Sequence, residues 1–338
     1  MEPLQSTLQD NSAVTDDEAM QSKWLKRSGF VLMAVVIAYT GTTLWVGRGS
    51  WQKALAAISL RDVLIIVGLV SIGFLLRAGR WHYYIRVLKW DVPLLQSISA
   101  FVASIALTAT PAKTGEMAKA VLLRGQHEIS LSQGAGVLLI ERLGDLFAVV
   151  VLAICGLTLF IDLSNYVLAS VVVVSMVVFL AAKCRAVLER FQAIPQLRNA
   201  SLRLVEMLDA VWVLMRPIPL LVGGSVALAA WSCEALAFHY LVERLGIHSS
   251  LLLSFSIYGL STLAGALSML PGGLGGVEAV MTFLLTRLGA PTSAATVAVV
   301  IFRLCTLWLF SLIGVIFMSG WMIFLTKRRH LNLVVQAQ

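Results

Sequence analysis

Leu270-Pro271-Gly272-Gly273-Leu274-Gly275-Gly276-Val277-Glu278 is a glycine-rich break between two apolar segments, each long enough to cross a bilayer. Irregular backbone at membrane depth survives only where protein or a water-filled cavity satisfies its free N–H and C=O groups. The stretch is therefore either a surface loop or the wall of a cavity. Which of the two it is decides the function.

The surrounding chain settles the solvent. Its 338 residues are 59% hydrophobic and 13% charged, with a mean hydropathy of +0.87, whereas a soluble domain is roughly 45–50% apolar and 25% charged. The apolar residues come in runs of roughly 17 to 30, the pattern of helical spans, and not in the alternation of about ten residues that marks an outer-membrane barrel. The basic residues behind the net charge of +8 mostly flank these runs. They read as topology signals and lipid-headgroup contacts, with no nucleic-acid partner. Cys155, Cys184, Cys233 and Cys305 have no metal-ligand spacing and the five histidines form no zinc motif, so neither a metal nor a cofactor is expected.

In chain order, residues 1–22 carry five acidic residues and no Lys or Arg, and read as a disordered cytoplasmic tail. A single membrane domain is expected over 23–330, with a short tail at 331–338. Apolar runs at 30–46, 62–76, 94–110, 131–160, 163–182, 218–241, 251–270 and 294–325 make about eight spans of an all-α, polytopic membrane protein. The second run either ends near Leu76 or extends through Arg77 to Tyr84; Arg77, Arg80, Trp81, Tyr83 and Tyr84 at its far end are read as a basic and aromatic belt at the cytoplasmic interface. Residues 183–216 hold six Lys or Arg against three Asp or Glu, with apolar residues at Leu197, Leu204, Leu208 and Val211. They read as an amphipathic cytoplasmic helix on the anionic leaflet, or as a plain linker.

The chain resembles itself. His82-Tyr83, Leu88 and Leu94-Leu95 recur as His239-Tyr240, Leu245 and Leu251-Leu252 at an offset of 157, while Pro111 with Gly115 is answered by Pro271 with Gly275, and Arg142-Leu143 by Arg303-Leu304. The repeat halves run over about 62–160 and 218–325. If 111–124 and 271–287 are broken, re-entrant segments that each carry the chain back across the membrane, the basic regions at 77–91, 183–216 and 327–330 all fall inside. The halves are then inverted repeats with discontinuous helices facing each other near the midplane, and both termini are cytoplasmic.

In that arrangement both breaks offer helix N-termini to an anion. Lys113, Lys119, Arg142 and Arg303 add positive charge; Glu116, Glu141, Asp145 and Glu278 supply counter-charge. An ionisable group facing lipid costs about 2.5–3.5 kcal/mol on an insertion scale, so these residues face protein or water. The substrate path is read as these eight residues with Pro271, Gly272, Gly273, Gly275 and Gly276; Arg77, Arg80 and Trp81 are the interfacial headgroup contacts. The plainer reading makes Glu141, Arg142 and Asp145 structural ion pairs, the two acids sharing one helix face around an arginine from elsewhere. No nucleophile, nucleotide loop or catalytic triad is visible, and no enzymatic activity is expected.

These motifs resemble the lysylphosphatidylglycerol synthase transmembrane-region family, a flippase-like integral membrane domain. The likeness rests on Arg77 to Trp81, Pro111/Gly115/Glu116 with Lys119, Glu141-Arg142-Leu143-x-Asp145, Pro271 to Glu278, and Arg303. It implies an inner-membrane protein that moves, or helps to move, a modified phospho- or glycolipid between leaflets, with membrane lipids of anionic or polyprenyl-linked headgroup as partners. No soluble aminoacyl-transfer domain follows within the 338 residues, so lysyl-lipid synthesis by this chain is not expected. An ion-coupled carrier of a small solute and a non-transporting partner of a lipid-modifying enzyme are the alternatives.

Overall fold

A computed structural model describes residues 57–108, 115–124, 127, 129–157, 198–268 and 270–336. The expectations for the 1–22 tail, the 30–46 and 163–182 spans, residues 183–197, and Pro111, Ala112 and Lys113 in the first break lie outside them. The described residues are helical, with no strand among them. In order they form α1 (Leu60–Val87), α2 (Leu94–Ile105), α3 (Ala118–Arg124), α4 (Leu131–Leu157), α5 (Arg198–Leu214), α6 (Pro217–Arg244), α7 (Leu251–Leu267), a single 3-10 turn (Pro271–Gly273), α8 (Gly276–Arg287), α9 (Thr292–Arg303), a π-helical turn (Leu304–Trp308) and α10 (Leu309–Gln336).

Local chemistry sets the boundaries. Ser59 starts α1 by a reciprocal cap: the Asp62 carboxylate accepts from the Ser59 N–H at 2.8 Å, and the Ser59 hydroxyl accepts from the Asp62 N–H at 3.3 Å. Pro217 starts α6, where its missing N–H has no helical partner to lose. The two helices are each 28 residues long and lie 157 residues apart. Each ends on the same turn. Lys89 at φ 62° and Gly246 at φ 75° both take the left-handed conformation, and Trp90 and Ile247 donate back to the carbonyls of Ile85 and Val242. The helices that follow start at Leu94 and Leu251, again 157 apart.

These matched helices run antiparallel against each other. Asp62 at the start of α1 accepts from Tyr240 and Arg244 at the end of α6, at 2.6 and 3.2 Å. At the opposite end the Tyr84 ring fills the space that a side chain at Gly223 would take. Between these contacts Gly73 approaches the Ala230 carbonyl so closely that an added Cβ would lie 2.8 Å from its oxygen. Helix α4 packs on α7 and α5, and α2 on α10, around a core that includes Trp81, Tyr84, Phe238, Tyr258 and Phe302.

Among the described residues three helices, Leu60–Val87, Pro217–Arg244 and Thr292–Ile323, are long and apolar enough to cross a membrane by length and composition. The protein is integral to a membrane. The runs expected to span at 94–110 and 251–270 form shorter helices of 12 and 17 residues, about 18 and 26 Å long at 1.5 Å per residue. The α2 helix gives way at Ile105 to a turn through Thr108, and α7 stops before the glycine break. Of the two extents expected for the second run, to Leu76 or through Tyr84, the longer holds, and the helix continues to Val87. In α5 the buried stripe is Ser201, Ala210, Val211 and Leu214, whereas Leu204 is 41% exposed. Val211 thus packs within the protein, while Leu204, from the same expected membrane-facing stripe, points outward.

Candidate functional site

The ionisable residues of α1, α3, α4 and α6 converge with the glycine break on one cavity of about 400 Å³. Each charge entering this apolar setting loses several kcal/mol of hydration unless it is paired, and the pairs are all present. Arg77 meets Glu234 of α6, and Arg80 donates to Asp145 of α4 at 2.7 Å. Lys119 pairs with Glu141, with side chains only 2% and 1% exposed. Arg142 donates to Glu116 at 2.7 Å and lies 3.1 Å from Asp145. Arg303 donates to Glu278 at 2.7 Å.

Aromatic rings complete the cation sites. The Arg77 guanidinium lies 4.7 and 4.8 Å from the ring centroids of Phe74 and Trp231, and the Lys119 ammonium 4.6 and 5.3 Å from those of Trp81 and Phe101. Such contacts strengthen as water is withdrawn. Tyr258 donates to Glu234 at 2.6 Å and the Trp231 indole to Asp145 at 3.1 Å, so both acids hold more than one donor.

The glycine break forms part of this wall. Gly272 and Gly273 line the cavity and take positive φ of 64° and 67°, a conformation open to glycine at little cost. Gly275, at φ 84°, donates its N–H to the Glu278 carboxylate at 2.7 Å, which closes the first turn of α8. Arg303 binds that same carboxylate and also the Gly272 carbonyl at 2.7 Å. Backbone groups of this turn are thus satisfied by one capping acid and one arginine.

The cavity collects Glu116, Lys119, Glu141, Arg142, Asp145, Gly272, Gly273 and Arg303. Glu278 lies behind Arg303, and Gly275 and Gly276 belong to the break without lining the cavity; Pro271 opens the 3-10 turn, and Lys113 is not described. Arg77 and Arg80, read as headgroup contacts at the interface, line the same cavity, with side chains 12% and 1% exposed. Trp81 is buried beneath Lys119. The difference follows from packing: α1 lies against α6 and α4, whose acids Glu234 and Asp145 take up Arg77 and Arg80. Glu141 and Asp145 do not share one arginine either, since Glu141 turns to Lys119 and Asp145 to Arg80 and Arg142. Sequence reasoning missed Glu234. Its signal was an acid inside the apolar run 218–241, which on insertion cost alone marks a residue facing protein or water.

This architecture is that of a polytopic helical membrane protein with a charged cavity lined by several of its helices. The chain belongs to the family described as the lysylphosphatidylglycerol synthase TM region, whose profile matches residues 29–314. A UPF0104 membrane protein of Methanothermobacter thermautotrophicus is 27% identical over 323 residues, covering 86% of this chain and 95% of the relative. A second UPF0104 membrane protein of that organism is 24% identical, covering 87% and 93%. A phosphatidylglycerol lysyltransferase of Bacillus subtilis is 24% identical over 104 residues, 31% of this chain and 12% of that protein. No solved structure matches the chain. The family supports a membrane role related to lipids.

Proposed function

We propose that the protein moves a phospho- or glycolipid between the leaflets of the cytoplasmic membrane, with the headgroup in the charged cavity and the acyl chains left in the bilayer, and that it does so without enzymatic chemistry of its own. The observation that carries this reading is the double character of the cavity wall. Its interior holds Arg77, Arg80, Lys119, Glu141, Asp145 and Arg303, while Leu146, Ala266 and Leu270 of the same wall are exposed. An amphipathic ligand matches both. A volume of about 400 Å³ lies in the range of small-ligand sites and suits a headgroup better than a whole two-chain lipid.

The antiparallel packing of α1 on α6 at a constant offset supports an inverted-repeat mechanism, in which two related halves rock about a site near the midplane. The test is reconstitution in vesicles with fluorescent lipids of anionic, zwitterionic and sugar-bearing headgroups, and dithionite quenching of the outer leaflet. Faster loss of inner-leaflet label than in protein-free vesicles is expected for at least one class. Equal rates for every class would remove this reading.

A further inference from the structure

We infer that the two equivalent arginines have different tasks: Arg142 grips a phosphate oxyanion in the cavity, and Arg303 is the strut that holds the glycine break in place. This rests on reading the cavity as the path of a polar headgroup. Each arginine donates to a glutamate beyond a Pro/Gly segment at 2.7 Å, Arg142 to Glu116 and Arg303 to Glu278. Beyond that contact they part.

Arg303 directs both its Nε–H and its Nη2–H to the break. Its Nε–H holds Glu278, which itself closes onto the Gly275 N–H, and its Nη2–H holds the Gly272 carbonyl. The side chain is 11% exposed. Turning Arg303 toward a ligand would strip a backbone carbonyl and loosen the acid that caps α8. A buried acceptor left without its donor costs about 1–3 kcal/mol, so the site resists that motion.

Arg142 is arranged the other way. Its side chain is 31% exposed, and among the described residues it donates to no backbone carbonyl and its Nε–H has no acceptor. Its second acid does not depend on it. Asp145 Oδ1 already accepts from Arg80 at 2.7 Å and from Trp231 at 3.1 Å, and Arg142 reaches only the other oxygen. Arg142 can therefore turn from Asp145 and leave a hydrogen-bonded carboxylate behind. A guanidinium is always charged and presents a planar fork of donors that fits an oxyanion in two-point contact. The oxyanion comes either from a lipid phosphate or from free phosphate.

The full-length protein in detergent is titrated with dihexanoyl phosphatidate, dihexanoylglycerol and inorganic phosphate by calorimetry, with melting temperatures measured in parallel. The variants are Arg142→Ala, Arg142→Lys and Arg303→Lys, the last keeping the charge in case Arg303→Ala does not fold. The wild type is expected to bind phosphatidate and not the phosphate-free lipid. Arg142→Ala should weaken phosphatidate about tenfold or more, as loss of a charged hydrogen bond implies, with a lower melting temperature because Glu116 loses this partner, and with partial recovery of both in Arg142→Lys. Arg303→Lys should lower the melting temperature and weaken phosphatidate far less than Arg142→Ala.

Wild-type affinity in Arg142→Ala, no anion binding by the wild type, or an Arg303→Lys variant that melts normally yet binds as poorly as Arg142→Ala would each overturn the division of labour. Inorganic phosphate bound as tightly as phosphatidate, with the same dependence on Arg142, upholds it and counts against a lipid path. Intact binding without lipid movement in vesicles upholds it and removes only the transport reading.

Discussion

Arg77 and Glu234, at equivalent positions 157 residues apart, pair with each other where α1 crosses α6. Gly73 and Ala230, at the same offset, touch one helical turn away. Contacts between a position and its own counterpart occur where a two-fold relation between two helices has its axis. At such a place identical charges would repel, and this chain has placed opposite ones.

Breaking that pair from one side leaves a charge in a site built for two. Glu234→Ala is expected to cost about 3–5 kcal/mol, read as a lower melting temperature in detergent. Because the positions are equivalent, the exchanged double variant Arg77→Glu with Glu234→Arg should melt closer to the wild type than either single reversal does. A double variant no more stable than its worse parent would sink the idea that the two sites are interchangeable.

At one end of the α1–α6 pair a tyrosine fits over a glycine. A Cβ added at Gly223 would lie 1.7 Å from the Tyr84 hydroxyl oxygen, so Gly223→Ala must push the ring out of a packed core, at about 1–3 kcal/mol. Shortening the ring should relieve this: Gly223→Ala combined with Tyr84→Ala is expected to cost clearly less than the two single losses added together. Strict additivity in thermal melts would contradict the contact.

At the other end the fastening is polar. Asp62 is 2% exposed and accepts from Ser59, Tyr240 and Arg244. Tyr240→Phe removes one of these bonds and should cost about 0.5–1.5 kcal/mol, while Asp62→Ala undoes the helix cap together with the interhelical bonds and should cost more. Since the Arg244 side chain is 49% exposed, Arg244→Ala should have the smallest effect of the three. The order of melting temperatures checks the assignment; an Arg244 effect larger than that of Asp62 would reverse it.

The break itself carries a backbone prediction. Gly272 sits at φ 64°, so Gly272→Ala should destabilise by about 1–2 kcal/mol through the left-handed conformation. Gly68, in the middle of α1, has open space around its Cβ position and no such conformation, and Gly68→Ala should be neutral or slightly stabilising. Equal losses at the two positions would show that conformation is not what singles out Gly272.

Much of this molecule was legible in the order of its residues. Composition and run length alone demand membrane helices, because no other fold buries so much apolar surface with so few charges. The matches at His82-Tyr83 and His239-Tyr240 gave an offset of 157, and the helices Leu60–Val87 and Pro217–Arg244, with the left-handed residues Lys89 and Gly246 after them, lie at that same spacing. Insertion cost alone required Glu141, Arg142, Asp145 and Arg303 to face something other than lipid.

What the sequence could not decide was which charge meets which. Arg77 and Arg80 lie at the end of an apolar run, where a long basic side chain can reach a headgroup as readily as a carboxylate. Only the packing of α1 against α6 and α4 turns them inward. Their partners Glu234 and Asp145 lie 157 and 65 residues away, beyond any local rule. In a helix that is apolar on nearly every side, periodicity does not mark the face that meets protein. Three-dimensional packing made that choice, because each buried charge is tolerated only where an opposite charge from another helix arrives within hydrogen-bonding distance.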